Sequence, residues 1–238
     1  MSELLKINNL WGGYQEGVDI LRGISMEVQQ GEAVGIIGLN GSGKSTFGKA
    51  IMNMIPIRKG EILFVGEDIT ALSTSELSHR GISIMQQGGK VFPNLSVWDN
   101  LQLAGQGKNS QFSILNSQLV ELVPLLQRPK RELLRLMADK LSGGQKHQLS
   151  LAMTLATNPR LVILDEPSAG LSPKAVEEMY QMLRDIREKL NVTIILIEQN
   201  IAKAVDFCDK VCLLKQGTMQ QTKLCGFQEI ENIMFKLK

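Results

Sequence analysis

Eight consecutive residues, Gly38-Leu39-Asn40-Gly41-Ser42-Gly43-Lys44-Ser45, fit the phosphate-loop pattern GxxxxGK(S/T) in full. They follow an apolar run, AVGII at 33–37, and precede a helical stretch, FGKAIMNMI. Strand, loop and helix in that order is the setting the pattern needs. Gly38, Gly41 and Gly43 permit backbone conformations that turn successive N–H groups inward around phosphate oxygens. The start of the next helix adds its positive end. Lys44 then neutralises the outer phosphates, and the Ser45 hydroxyl is a Mg²⁺ ligand. Because Mg²⁺ takes hard oxygen ligands, a second, acidic element is expected. LVILDE at 161–166 supplies it, as an apolar strand delivering two acids at its end. Asp165 would hold the metal directly or through water. Glu166 is placed to accept a proton from water attacking the terminal phosphate. Two acids after a strand can also be an ordinary helix cap, but the phosphate loop favours the chemical role. A third element is LSGGQ at 141–145, whose last residue stands 20 positions before Asp165. Ser142, Gly143 and Gly144 at a helix start form another anion-seeking site.

These residues need a scaffold, and the sequence predicts one of α/β class. Short apolar runs at 4–7, 24–28, 33–37, 61–65, 82–85, 161–164, 192–197 and 211–214 read as buried strands. The clearest helix begins with Ser172 as N-cap and Pro173 in the first helical position. Val176, Met179, Tyr180, Leu183 and Leu190 then share one face. Strand 161–164, helix 173–190 and strand 192–197 in succession make a βαβ crossover, which implies a parallel sheet. From about 93 to 157 no strand pattern appears. Leu119, Leu122, Val123 and Leu126 have helical spacing, which Pro124 should end or kink. A second helix is expected over 130–138. A third is expected after Gly143 and Gly144, with Leu149, Ala152, Met153 and Ala156 on one face. An all-helical insertion therefore interrupts the α/β body.

Composition sets the outer bounds. A chain of 238 residues is one large domain or two small ones, and 43 % apolar with 21 % charged is ordinary globular usage. A net charge of +2 is too small to argue for nucleic-acid binding by field alone. Cys208, Cys212 and Cys225 lack CxxC spacing, so reduced free thiols and a cytosolic setting are expected. No secretory signal shows at the N-terminus, and no apolar run approaches the ~20 residues of a membrane span. If the protein works at a membrane, a partner must hold it there. Arg128, Lys130, Arg131 and Arg135 read as a solvated helix face, with partner binding as the alternative. His79 and His147 carry no site argument and are expected at surface or helix positions.

A phosphate loop, then LSGGQ, then a strand ending in Asp165-Glu166-Pro167 resembles, in order and spacing, the ATPase subunit of ABC transporters. The resemblance covers nearly the whole chain. It implies a phosphate-loop NTPase fold of ABC type: a mixed sheet core, an N-terminal antiparallel β part and an inserted α-helical subdomain. The expected organisation is one domain over 1–238, with the ATP-binding core at 1–87 and 158–238 and the helical signature subdomain at about 88–157. It also implies ATP and Mg²⁺, a Mg-dependent hydrolysis, and two ATPase subunits, identical or paralogous. ATP on Gly38–Thr46 of one would be closed over by Ser142, Gly143, Gly144 and Gln145 of the other. Tyr14 looks like the family aromatic that stacks on adenine, with Trp11 the weaker candidate; either could instead be a packed β-edge aromatic. Gln87, five residues before Phe92 in QGGKVFPNLSV, looks like the family glutamine that touches Mg²⁺ and senses the membrane partner; the adjacent Gln86 is the alternative, and spacing favours Gln87.

Two positions depart from the family pattern. In IEQN at 197–200, Gln199 stands where most members have a His at the terminal phosphate. Glutamine can still donate a hydrogen bond but carries no positive charge and shuttles no proton. Ser172 stands where many have an Asp at the dimer contact. Glu166, Lys44 and Gln199 remain the expected catalytic residues, and Ser45, Gln87 and Asp165 the expected metal ligands. LDEPSAGLSP, IEQN and ELVPLL together look like branched-chain amino acid importers, although Gln87-Gly88-Gly89-Lys90 replaces that subgroup's usual Glu-Gly-Arg-Arg. That reading implies transmembrane permease subunits, an indirect link to a solute-binding protein, no nucleic acid, and a peripheral place on the cytoplasmic face of the membrane. Two alternatives stay open: an ABC-type ATPase without transport, as in iron–sulfur cluster assembly, and a binding module with ATP as regulator.

Overall fold

A computed structural model describes residues 2–105 and 117–222. Cys225 and part of the expected helical insertion lie outside the described residues. In chain order the elements are β1 (Glu3–Gly12), β2 (Leu21–Gln29), β3 (Ala33–Ile37), α1 (Lys44–Ile51), β4 (Ile57–Phe64), β5 (Glu67–Asp68), α2 (Thr74–His79), β6 (Ile82–Met85) and α3 (Val97–Gly105). There follow α4 (Ser117–Leu122), α5 (Lys130–Leu133), α6 (Gly143–Leu155), β7 (Leu161–Asp165), α7 (Pro173–Leu190), β8 (Thr193–Glu198), α8 (Ile201–Phe207), β9 (Lys210–Lys215) and β10 (Thr218–Thr222). The chain divides into two compact units, 1–77 with 193–238, and 78–192.

The first unit holds an antiparallel sheet and a mixed one. In the antiparallel sheet β1 lies between β2 and β4, with β5 at the edge. Alternating burial along β2 gives it one core face and one wet face. The mixed part is built on β3, which pairs in parallel with β8 on one side and β9 on the other, while β10 returns antiparallel to β9. Every residue of β3 and β8 is buried, as expected of parallel strands covered on both faces. Gly35 is demanded here by proximity: a Cβ would lie 3.2 Å from Cys208 Sγ just after α8. The ABC-type α/β architecture, with an N-terminal antiparallel sheet and a mixed core, is thus present.

In the second unit β6 and β7 pair in parallel from Ile82↔Leu161 to Met85↔Leu164. Helix α7 starts where its sequence says. The Ser172 hydroxyl accepts the Ala175 N–H, Pro173 follows, and Asn191 closes the helix in left-handed conformation at φ 49°. Pro124 ends α4, and a 3₁₀ turn at 124–127 continues it. The helix expected over 130–138 is shorter. It stops at Leu133 because the next backbone is claimed elsewhere: Val97 N–H donates to Leu136 O and Ala138 N–H to Leu95 O. Helix α6 opens two residues earlier than expected, at Gly143, on a reciprocal cap. The Ser142 hydroxyl accepts the Gln145 N–H, and Gln145 Oε1 accepts the Ser142 N–H. Helix α3 went unforeseen, although Ser96 and Asp99 form the same kind of cap.

Candidate functional site

In the first unit the phosphate loop runs from the buried end of β3 into α1. Gly38 leaves no room for a side chain, since a Cβ would sit 2.3 Å from Leu214 O and 2.6 Å from Ser42 Oγ. Gly41 and Gly43 adopt φ +77° and +103°, conformations that favour glycine. Leu39 and Asn40 form the exposed lip, while Ser42, Gly43, Lys44 and Thr46 are buried behind it. The Lys44 ammonium is only 5 % exposed and folds back to donate to the carbonyls of Gly38 (2.9 Å) and Leu39 (3.2 Å). A loop that curls its own ammonium inward has the chemistry for oxyanions. Nothing lies within 4 Å of a Cβ built at Gly41, and Ser42 Oγ is buried without a hydrogen-bond partner among the described residues. An open, donor-rich mouth with an unfilled hydroxyl suits a phosphate. Ser45, at the first turn of α1, offers a hard oxygen.

Tyr14 belongs to the same unit. Its ring is 51 % exposed, and Lys49 Nζ of α1 lies 3.4 Å from its hydroxyl. The same ammonium stands over the ring, 5.6 Å from its centroid. Trp11 is more enclosed: its indole N–H donates to Asn9 Oδ1 and Lys59 Nζ lies 5.8 Å from its ring centroid. At the end of β8, Gln199 is exposed, and the carboxylate before it does the local work. Glu198, 3 % exposed, accepts the N–H groups of Gln199 (3.0 Å) and Asn200 (3.3 Å), while Asn200 caps α8 through Lys203 N–H. Register pairs Glu198 with Ile37, the residue before the phosphate loop. Sequence reasoning missed Glu198, although an acid closing an apolar strand was the very signal used for Asp165.

In the second unit β7 delivers Asp165, 4 % exposed, and then Glu166, half-buried. Glu166 sits at φ 48°, a left-handed backbone that is uncommon for a residue other than glycine and costs of order 1–3 kcal/mol. Strain of this kind concentrates where a side chain must be aimed. The Gln87 amide, from the segment after β6, donates through Nε2 to Glu166 Oε2. Residues far apart in sequence are thereby brought together, and Gln87 Oε1 stays available as a hard-oxygen ligand. The segment that follows is pinned by Asn100, fully buried on α3. Its amide exchanges hydrogen bonds with the backbone of Phe92 (2.8 and 3.0 Å) and donates to Ser96 O at 2.9 Å.

The LSGGQ residues divide in use. Ser142 and Gly143 are exposed at the start of α6, and a Cβ at Gly143 would meet nothing within 4 Å. Gln145 was expected beside them at a nucleotide; its side chain is engaged in the cap with Ser142 N–H instead. Ser172 likewise caps α7. Arg128, Arg131 and Arg135 line a groove of about 420 Å³ with Glu132 and Leu136. Lys130 stands over the Trp98 ring at 4.2 Å rather than in that groove. His147, expected at a surface or helix position, is a helix residue but a buried one.

Each unit thus offers hard oxygens, Ser45 in the first and Asp165 with Gln87 in the second. Among the described residues no cluster of three or more His, Cys, Asp or Glu side chains could hold a metal unaided. Oxygens of this kind, in either unit, suit an ion that takes other ligands from phosphate and water, as Mg²⁺ does. No helix among the described residues is long and apolar enough to cross a membrane.

The comparisons with known proteins agree with this geometry. The family pattern described as ABC transporter matches residues 21–169. A high-affinity branched-chain amino acid transport ATP-binding protein, BraG of Pseudomonas aeruginosa, is 31 % identical over 86 % of this chain and 86 % of its own. A methionine import ATP-binding protein, MetN of Carboxydothermus hydrogenoformans, is 30 % identical over 82 % of this chain and 58 % of its own. Among solved structures, an ATP-binding cassette captured as a dimer in a post-hydrolysis state with ADP and Pi superimposes with a TM-score of 0.79. It is 26 % identical and covers 94 % of this chain and 100 % of its own.

Proposed function

The chain belongs to the ABC transporter family as an ATP-hydrolysing subunit, and from that premise we propose that it powers import of branched-chain or related amino acids. Membrane subunits and a second ATPase subunit, identical or paralogous, would complete the transporter on the cytoplasmic face, with a solute-binding protein feeding it indirectly. Nucleic acid has no part in this reading. The solute is supported by the likeness to BraG and by the strings LDEPSAGLSP and IEQN. The likeness to MetN is nearly as strong, so methionine belongs in the same test.

The observation that carries the hydrolytic part is the hydrogen bond from Gln87 to Glu166. In this reading the backbone N–H groups of Gly38–Thr46 hold the phosphates of ATP, Lys44 exchanges its carbonyl contacts for phosphate oxygens, and Tyr14 stacks on adenine. Glu166 would take the proton of the attacking water, as a positioned carboxylate can. Gln87 holds one carboxylate oxygen, Oε2, and so fixes the aim of the group. Gln199 donates a neutral hydrogen bond to the terminal phosphate. Mg²⁺, when bound, would neutralise phosphate charge, and Ser45, Asp165 and Gln87 carry the oxygens suited to hold it. Ser142, Gly143 and Gly144 of the second subunit close over the nucleotide, and the terminal phosphate supplies the contacts that favour the closed pair.

Uptake of labelled leucine, isoleucine, valine and methionine by cells lacking the gene tests the solute. Restoration of branched-chain uptake by the wild-type gene, and not by its Glu166→Gln variant, is expected. Restoration of methionine uptake alone would overturn the branched-chain reading and leave the ATPase standing.

A further inference from the structure

His147 belongs to no motif, yet it occupies the most constrained place in the second unit. It lies on α6 two residues after LSGGQ, and it is 5 % exposed. Its Nδ1 stands 3.0 Å from the Gly143 carbonyl oxygen. Only an N–H pairs with a carbonyl, so Nδ1 is the donor in this contact. Nε2 is buried with no hydrogen-bond partner among the described residues. The backbone at Gly89 packs against the same edge of the residue, beside the tethered nitrogen. A Cβ at Gly89 would sit 3.0 Å from His147 Cγ and Nδ1 and 3.1 Å from its Cα. Gly88 and Gly89 are both in positive φ, +84° and +58°, directly after Gln87.

One path of direct contacts therefore runs through a single unit. It passes from the Glu166 carboxylate to the Gln87 amide, along Gly88 and Gly89, onto the His147 ring, and through Nδ1 to Gly143. Its ends serve different nucleotides. On the reading proposed above, Glu166 acts on the ATP of its own subunit and Gly143 on the ATP of the partner. We infer that His147 is a positioning residue that couples these two half-sites: seating of the α6 start on the partner's nucleotide sets the backbone at 88–89, and so the aim of Gln87 at Glu166. This rests on that reading of the two ends. The contact is stiff because Gly89 has no side chain to yield and a close-packed ring has no slack. A shift of the first turn of α6 must be taken up at Gly88–Gly89.

Phosphate release by the full-length chain, with the amount of ATP bound per chain measured alongside, tests the coupling in a double-mutant cycle. His147→Ala is expected to lower kcat about tenfold, with KM for ATP and bound ATP per chain unchanged. In the Gln87→Ala background the same substitution should cost nothing further, because its effect passes through Gln87. His147→Gln can donate to Gly143 O from a similar volume, and should recover to within about threefold of wild type. Losses that multiply in the double variant, or an undiminished His147→Ala enzyme, overturn the inference. Should His147→Ala fail to fold and bind no ATP, Gly89→Ala, which pushes on the ring with His147 intact, carries the same comparison. A wild-type chain that binds ATP without turnover would fail the underlying reading and the inference with it. A normal wild type with multiplicative losses would fail the inference alone.

Discussion

In the loop 38–46 backbone torsions set the site and a few side chains, Lys44 first, complete it; around Glu166 the site is made of side chains. The first region is shaped by what cannot be there, a Cβ at Gly38 that would overlap Leu214 O, and by glycine torsions at Gly41 and Gly43. The second is shaped by what has been brought in, Gln87 from after β6 and His147 from α6, around a carboxylate on a strained backbone. A backbone cradle binds any nucleotide polyphosphate in one way and has little to adjust. A side-chain cluster can be made or broken by movements of its supporting segments. Binding and control of hydrolysis thus fall to regions with different means of responding.

The sharpest way to separate them is Glu166→Gln. The amide keeps the shape and can still meet Gln87, but cannot accept the proton of water. Turnover should fall about 10²–10⁴-fold while ATP binding persists and an ATP-bound pair accumulates. Phosphate release and size-exclusion chromatography with ATP read both effects. Undiminished hydrolysis would remove Glu166 as the base. Lys44→Ala strikes the other region, with a smaller and opposite signature. Loss of a buried ammonium aimed at phosphate should weaken ATP binding about 100-fold, read by titration with a fluorescent nucleotide. If affinity holds while only turnover falls, the division of labour between the regions is wrong.

The same difference governed what could be read beforehand. The phosphate loop is contiguous, so Gly38 to Ser45 announce both their conformation and their chemistry. Asp165 and Glu166 are adjacent and close a recognisable strand, and α7 carries its cap, its first-turn proline and its buried face within one stretch. By contrast, Gln87 meets Glu166 across 79 positions, and His147 meets Gly89 only because α6 packs there. No local pattern encodes such pairings. Helix α5 was overestimated for a related reason: its sequence suits a helix, but Leu136 and Ala138 find backbone partners at Val97 and Leu95. Glu198 and α3 are different cases. An acid ending a buried strand and a Ser96-x-x-Asp99 cap are both local signals, legible in the sequence itself.

Two N-cap serines give the finest test of the comparison. Ser142 accepts from Gln145 N–H at 3.3 Å and Ser172 from Ala175 N–H at 3.4 Å, so as caps they are near-equivalent. Replacing either by Ala should cost about 1 kcal/mol of stability, measurable by denaturant unfolding. If Ser142 is no more than a cap, the two variants will also match in turnover. On the proposed function the two differ, because Ser142 would open the glycine turn that meets the partner's nucleotide and Ser172 would not. Ser142→Ala should lose roughly tenfold more turnover than Ser172→Ala, the worth of one hydrogen bond to a charged ligand at its weaker end, with ATP affinity of the isolated chain equal in both. Equal turnover would confine Ser142 to folding, and the closing contact would then rest on Gly143 and Gly144 alone.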